Sequence, residues 1–139
     1  MRRVSVGTIL VLVCALTISI SLVAQTNGNA AGKSLKNPAK ASPESIAAGK
    51  EIYTKRCIFC HGETGKGDGP VAASTKGTKP SNLADAKWDH GSTDGEIFVA
   101  IRDGIGPKFD MKGSKGKISD PEIWNVVNFI RSLGCTAGK

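Results

Sequence analysis

The chain has 139 residues with a formal net charge of +7, and only 5% of its residues are aromatic. That length suits one domain, and so few aromatics build a limited core unaided. The positive excess is modest and spread out, which argues for solubility and against a nucleic-acid surface.

Met1-Arg2-Arg3 is a short cationic start, and the run from Thr8 to Ala24 is uncharged and mostly apolar. Together they predict a secretory signal peptide over 1–24, cut between Ala24 and Ala31. An uncleaved anchor helix is the alternative, although the run is short for a full membrane span. Cys14 has no small residue before it, unlike a lipoprotein site, and would leave with the peptide. Export implies an oxidising, periplasmic compartment, with membrane attachment only if the N-terminal segment is retained. Residues 25–42 are rich in Asn, Gly, Ala, Lys, Ser and Pro and carry no aromatic. That composition predicts a flexible linker outside the core. The folded domain is expected over 43–134, with a tail at 135–139.

Three helices are marked by their starts. Ser42-Pro43-Glu44 offers an N-cap followed by proline at the first helical position, opening a helix that runs through Ile46, Gly49, Ile52 and Tyr53 into Cys57. Thr93-Asp94-Gly95-Glu96 is a capping box for Ile97 to Arg102, with Gly104 as the stop. Ser119-Asp120-Pro121-Glu122 is another. It opens a helix with an apolar stripe of Ile123, Val126, Val127, Ile130 and Leu133, flanked by Trp124 and Phe129 and ended by Gly134. No segment between them alternates long enough to read as a strand, so the fold class is all-α.

Cys57-Ile58-Phe59-Cys60-His61 carries the chemistry. Residues three apart lie on one helical face, so both sulfurs can reach the two vinyl groups of one porphyrin. His61 can then turn its imidazole onto the iron. The pattern predicts one covalent haem c, whose apolar surface would complete a small core. Rival motifs fail on spacing. Gly62 to Gly69 lacks the Gly-Lys-Ser/Thr ending of a phosphate loop, because Asp68 follows Gly67. A redox dithiol would want a βαβ setting, and zinc would want four spaced ligands. No Ser/His/Asp or paired-carboxylate arrangement stands out. Cys135 remains unpaired, either a free thiol or an intermolecular bridge.

The order helix, Cys-x-x-Cys-His, irregular loop, helix, methionine loop, terminal helix resembles the class I c-type cytochromes, the single-haem bacterial branch. The resemblance covers Ser42 to Leu133 almost continuously. It implies the cytochrome c fold, three main helices and loops wrapped around one haem. Gly49 would permit close approach of the terminal helix, and Tyr53 would pack on it beside Val126 and Phe129. The resemblance places an axial methionine in the loop between the second and third helices, where Met111 stands. Met1 would leave with the signal, so Met111 has no methionine competitor. The family's usual proline after that methionine is Lys112 here. His90 is the alternative ligand, or else a surface or propionate-side residue. The resemblance also implies a proline carbonyl behind His61. Pro80, in Pro80-Ser81-Asn82-Leu83, is the choice and Pro70 the competitor. Trp88 either donates its indole N–H to a propionate or packs. Phe59 and Phe109 either line the crevice or join the core.

The activity implied is one-electron transfer without chemistry of its own, by a diffusible carrier or by a tethered subunit of a larger oxidoreductase. Lys108, Lys112, Lys115 and Lys117 crowd the methionine loop. They form either a solvated loop or a basic rim for a redox partner with an acidic docking face.

Overall fold

The computed structural model describes residues 31–74, 79–106 and 111–136, with nothing said of the side chains of 135 and 136. The signal segment, Cys14, Lys108, Phe109 and the Cys135 side chain lie outside the described residues.

Helix α1 spans Pro43–Arg56 and begins as its caps predict. The Ser42 hydroxyl accepts from the Ser45 amide at 3.2 Å. Cys57 closes α1, its amide donating to the Tyr53 carbonyl at 2.8 Å. The short helix α2, Ile58–His61, follows at once, and a single 3-10 turn lies at Ala72–Ser74. Helix α3, Asp94–Asp103, has the full capping box. The Glu96 amide donates to Thr93 Oγ1 at 3.2 Å, and Glu96 Oε2 accepts from the Thr93 amide at 2.9 Å.

Two short strands follow, β1 (Gly104–Ile105) and β2 (Met111–Lys112). They pair antiparallel, Gly104 opposite Lys112 and Ile105 opposite Met111. Strands of two residues are too short for alternation to reveal. Gly104 makes the pairing possible: its φ is 90°, and a Cβ there would lie 2.5 Å from the Met111 carbonyl oxygen. The residue that stops α3 thus also admits the methionine strand. Helix α4 spans Asp120–Thr136 and runs through Gly134 instead of ending there. Gly134 does not take a positive φ, so no reversal is imposed on the chain.

The core lies where α1 crosses α4. Gly49 is the contact point: a Cβ on it would sit 2.0 Å from the Asn125 carbonyl oxygen and 3.0 Å from Phe129 Cβ. One turn on, the Tyr53 and Phe129 rings meet at 5.0 Å between centroids, and Val126 is fully buried. This is the packing that the resemblance implies for Gly49 and Tyr53. The α3 face of Ile97, Phe98 and Ile101 closes the other side, with Phe98 stacked on Trp124 at 4.1 Å.

Tyr53 does more than fill space. Its buried hydroxyl donates to the Gly62 carbonyl at 2.8 Å, tying the helix crossing to the turn just after His61. Burial first, then nearby Cys57 and Asp68, hold the phenol above its ordinary pKa, so it stays a neutral donor. Tyr53→Phe would leave that carbonyl with only the longer bond from the Gly65 amide, at 3.3 Å. Urea melts should show a loss of about 0.5–1.5 kcal/mol, the net worth of one hydrogen bond.

The segment 31–42 departs from the linker expectation. Gly32 is buried against the backbone of Gly95, and Asn37 Nδ2 donates to Asn128 Oδ1 at 2.8 Å. Asn128 Nδ2 in turn donates to the Ala39 carbonyl at 3.2 Å and to Ser45 Oγ at 2.8 Å. The segment lacks large apolar groups, so composition hides it. It is held by its backbone carbonyls and one buried asparagine.

Candidate functional site

The attachment motif occupies the α1–α2 junction. The amides of Cys60 and His61 both donate to the Cys57 carbonyl, at 3.1 and 2.9 Å. One tight turn therefore carries both thiols and the imidazole. Cys57 and His61 line a cleft of about 620 Å³, counting its open mouth. Cys60 is half-buried on the same turn.

The cleft walls are apolar and come from every main element. Ile97 and Ile101 enter from α3, Ile105 from β1, Val126 and Ile130 from α4, and Leu83 and Trp88 from the loop before α3. Met111, on β2, lines the same cleft. The structure thus brings His61 and Met111, far apart in sequence, to one space. His90 also lines it but is exposed.

The carbonyl behind His61 is that of Ser81, 3.3 Å from Nδ1, and neither Pro80 nor Pro70 supplies it. The Pro80 carbonyl instead faces Gly67, where a Cβ would lie 2.1 Å away. A carbonyl only accepts, so in this bond Nδ1 carries the proton and Nε2 keeps its lone pair for a metal. Burial pulls the His61 pKa below its ordinary value, partly offset by the Ser81 bond. On balance the shift favours the neutral imidazole that a ligand must be. Burial likewise pushes the Cys57 thiol up to about 11, against a smaller pull from Arg56. Such a thiol is a poor thiolate at neutral pH, which argues against a redox dithiol.

Phe59 is neither crevice nor core: it is 55% exposed. It points away from the cleft that Cys57 and His61 line. Trp88 does line the cleft, and the Arg131 guanidinium lies 5.2 Å over its ring. Lys112, Lys115 and Lys117 are all exposed along and just after β2. Two useful residues escaped the sequence reading. Ser81 carried no side-chain signal, because its backbone does the work. Arg131 did carry one, as the only charge in α4 after Glu122.

A thiol pair, a neutral imidazole and a thioether around an apolar cleft fit haem c, and comparison with known proteins agrees. The cytochrome c family model matches residues 46–134, well over half of the chain. The cbb3-type cytochrome c oxidase subunit CcoP of Rhodobacter capsulatus is 30% identical over 92 residues, covering 63% of this chain and 29% of that protein. The CcoP subunit of Rubrivivax gelatinosus is 30% identical over 105 residues, covering 73% and 31%. The chain thus spans about three tenths of the length of these relatives. Among solved structures, a chain of the Kuenenia stuttgartiensis reducing HAO-like protein complex superposes with a TM-score of 0.63 at 27% identity, covering 71% of this chain and 49% of that one. The c-type cytochrome KustC0563 does so with a TM-score of 0.50 at 26% identity, covering 61% and 95%. Motif, helix order and cleft converge on one conclusion: the chain belongs to the cytochrome c family, electron-transfer proteins with covalently bound haem c.

Proposed function

We propose that the chain is an exported, periplasmic one-electron carrier with a single haem, held by Cys57, Cys60, His61 and Met111. One observation carries this reading: His61 and Met111 face one apolar cleft, next to the chain's single Cys-x-x-Cys-His motif. When bound, haem c supplies one-electron exchange between Fe(III) and Fe(II). Cys57 and Cys60 would anchor it as thioethers. The Ser81 carbonyl holds the His61 ring and its tautomer, so that Nε2 is presented as the ligand. Met111 offers a neutral, soft sulfur, which favours the reduced state. Ile97, Ile101, Val126 and Ile130 exclude water, and this disfavours the extra charge of the oxidised state. With His61 and Met111 both holding the iron, no coordination site would be left for substrate. Denatured, acid–acetone-washed protein should stay coloured and weigh one haem more than the polypeptide. A colourless product of unmodified mass would end the proposal.

The exposed lysines along and after β2 suit a partner with an acidic face. The rate of electron transfer to such a partner should fall steeply from low salt to about 1 M, where the Debye length is about 3 Å. A stopped-flow rate indifferent to ionic strength would make those lysines a merely solvated loop.

The names of the relatives favour a second reading, a haem subunit of a larger oxidoreductase. No helix among the described residues is long and apolar enough to cross a membrane, so tethering would depend on the segment before residue 31. N-terminal sequencing of the mature protein separates the two: a retained Met1 region favours the subunit.

A further inference from the structure

Arg131 sits in the closing turns of α4, and its guanidinium reaches three places at once. Nε donates to Asp94 Oδ1 at 2.7 Å, in the first turn of α3. Nη2 donates to the Ser92 carbonyl. The planar group also lies over the Trp88 ring, 5.2 Å from its centroid. Trp88, Leu83 and Ile130 line the haem cleft, and the same three residues line a second, outer hollow of about 520 Å³, counting open space. The two hollows share these residues, and Arg131 lines the outer one but not the cleft.

The Arg131–Asp94 pair is about one-third exposed on both sides, so on its own it contributes little stability. Its geometry is more telling. A rigid fork that stacks on a ring and bonds two neighbouring acceptors fixes orientation in a way a flexible ammonium does not. What it fixes is the loop that ends at Ser92. That loop also carries Ser81, the acceptor for His61, whose hydroxyl donates to Asp89 at 3.3 Å.

We propose that Arg131 is a positioning residue for the haem site: it clamps Trp88 and its loop against the cleft and keeps water from entering through the outer hollow. This rests on the haem reading above. Water admitted to the cleft would stabilise the additional positive charge of the oxidised state, so a loosened clamp lowers the reduction potential.

The test is the equilibrium potential of the haem-loaded full chain, measured by spectroelectrochemical titration for the wild type, Arg131→Lys, Arg131→Met and Asp94→Ala. Charge alone and loosening predict different signs. By charge alone, losing the arginine lowers the potential, losing the carboxylate raises it, and Arg131→Lys leaves it unchanged. Loosening lowers it in all three. Arg131→Met should shift the reduction equilibrium about tenfold toward the oxidised form, which is about 59 mV for one electron. The other two variants should fall by a smaller factor. A rise in Asp94→Ala, or a wild-type potential in Arg131→Lys, would overturn the proposal. So would unmoved potentials accompanied by lower melting temperatures. If Arg131→Met takes up no haem, the signs for the other two variants still decide. A wild type without covalent haem by mass would defeat the haem reading and this inference with it. Loaded wild type with unmoved variants would defeat the inference alone.

Discussion

Met111→Ala should give a protein that is still coloured, because Cys57 and Cys60 are untouched, but with a much lower reduction potential. The strand pairing that carries Met111 is made by backbone groups opposite Gly104 and Ile105, so truncating the side chain leaves the loop in register. What disappears is the sulfur that shares the cleft with His61. A thioether favours Fe(II), and water or nitrogen in its place does not. The fall should be a substantial part of the range of about 0.8 V over which axial ligands set haem potentials. The weak absorption near the red end of the oxidised spectrum should vanish, and the reduced protein should bind CO rapidly. His90→Ala should leave all three observables as in the wild type. If the two variants exchanged behaviours, the sixth ligand would be His90.

The second large effect is on the fold. Gly49→Ala should lower stability by about 3 kcal/mol or more, at the upper end of what overpacking costs. The added Cβ would fall 2.0 Å from the Asn125 carbonyl oxygen, an atom of the α4 backbone. A flexible side chain could move aside, but a helix backbone cannot do so locally. Movement is opposed on both flanks of the contact. Ser45 Oγ donates to Asn125 Oδ1 at 2.6 Å, and the Tyr53 and Phe129 rings meet one turn on. Relief would therefore separate the whole crossing, and for a domain of this size each kcal/mol lowers the midpoint by about 4–8 °C. Calorimetry of the haem-loaded protein checks the size of the loss. A midpoint within a few degrees of the wild type would mean that α1 and α4 stand further apart than described.

The features legible in the sequence are those decided locally. The starts of α1 and α3 are fixed by hydroxyls and carboxylates within four residues of the amides they satisfy, so Ser42 and Thr93 could be read directly. The attachment turn was equally plain, since cysteine and histidine spacing within one helical turn is its own geometry. The α1–α4 crossing was legible only through resemblance, because a glycine does not announce which helix will lie against it.

What escaped the sequence depended on a partner distant along the chain. The acceptor for His61 is the carbonyl of Ser81 and not that of Pro80, and carbonyls are common to all residues, so no side chain marks which one points inward. The 31–42 segment read as solvent-borne because its attachment is polar. Asn128, a buried amide within an apolar stripe, was the available sign that something polar must lie over it. Gly134 read as a stop because glycine often is one, yet its backbone stays out of the left-handed region and the helix continues to Thr136.

Fastening that early stretch moves the point where the domain is handled from outside. A hinge at residue 42 would let the body swivel about the start of α1. With Gly32 lodged against Gly95 and Asn37 locked to Asn128, any pull from upstream is delivered instead beside the first turn of α3. The same turn holds Asp94, the carboxylate gripped by Arg131. A load applied at residue 31 would therefore reach the wall of the cleft, and mooring the chain there would bias how that wall is offered to a partner.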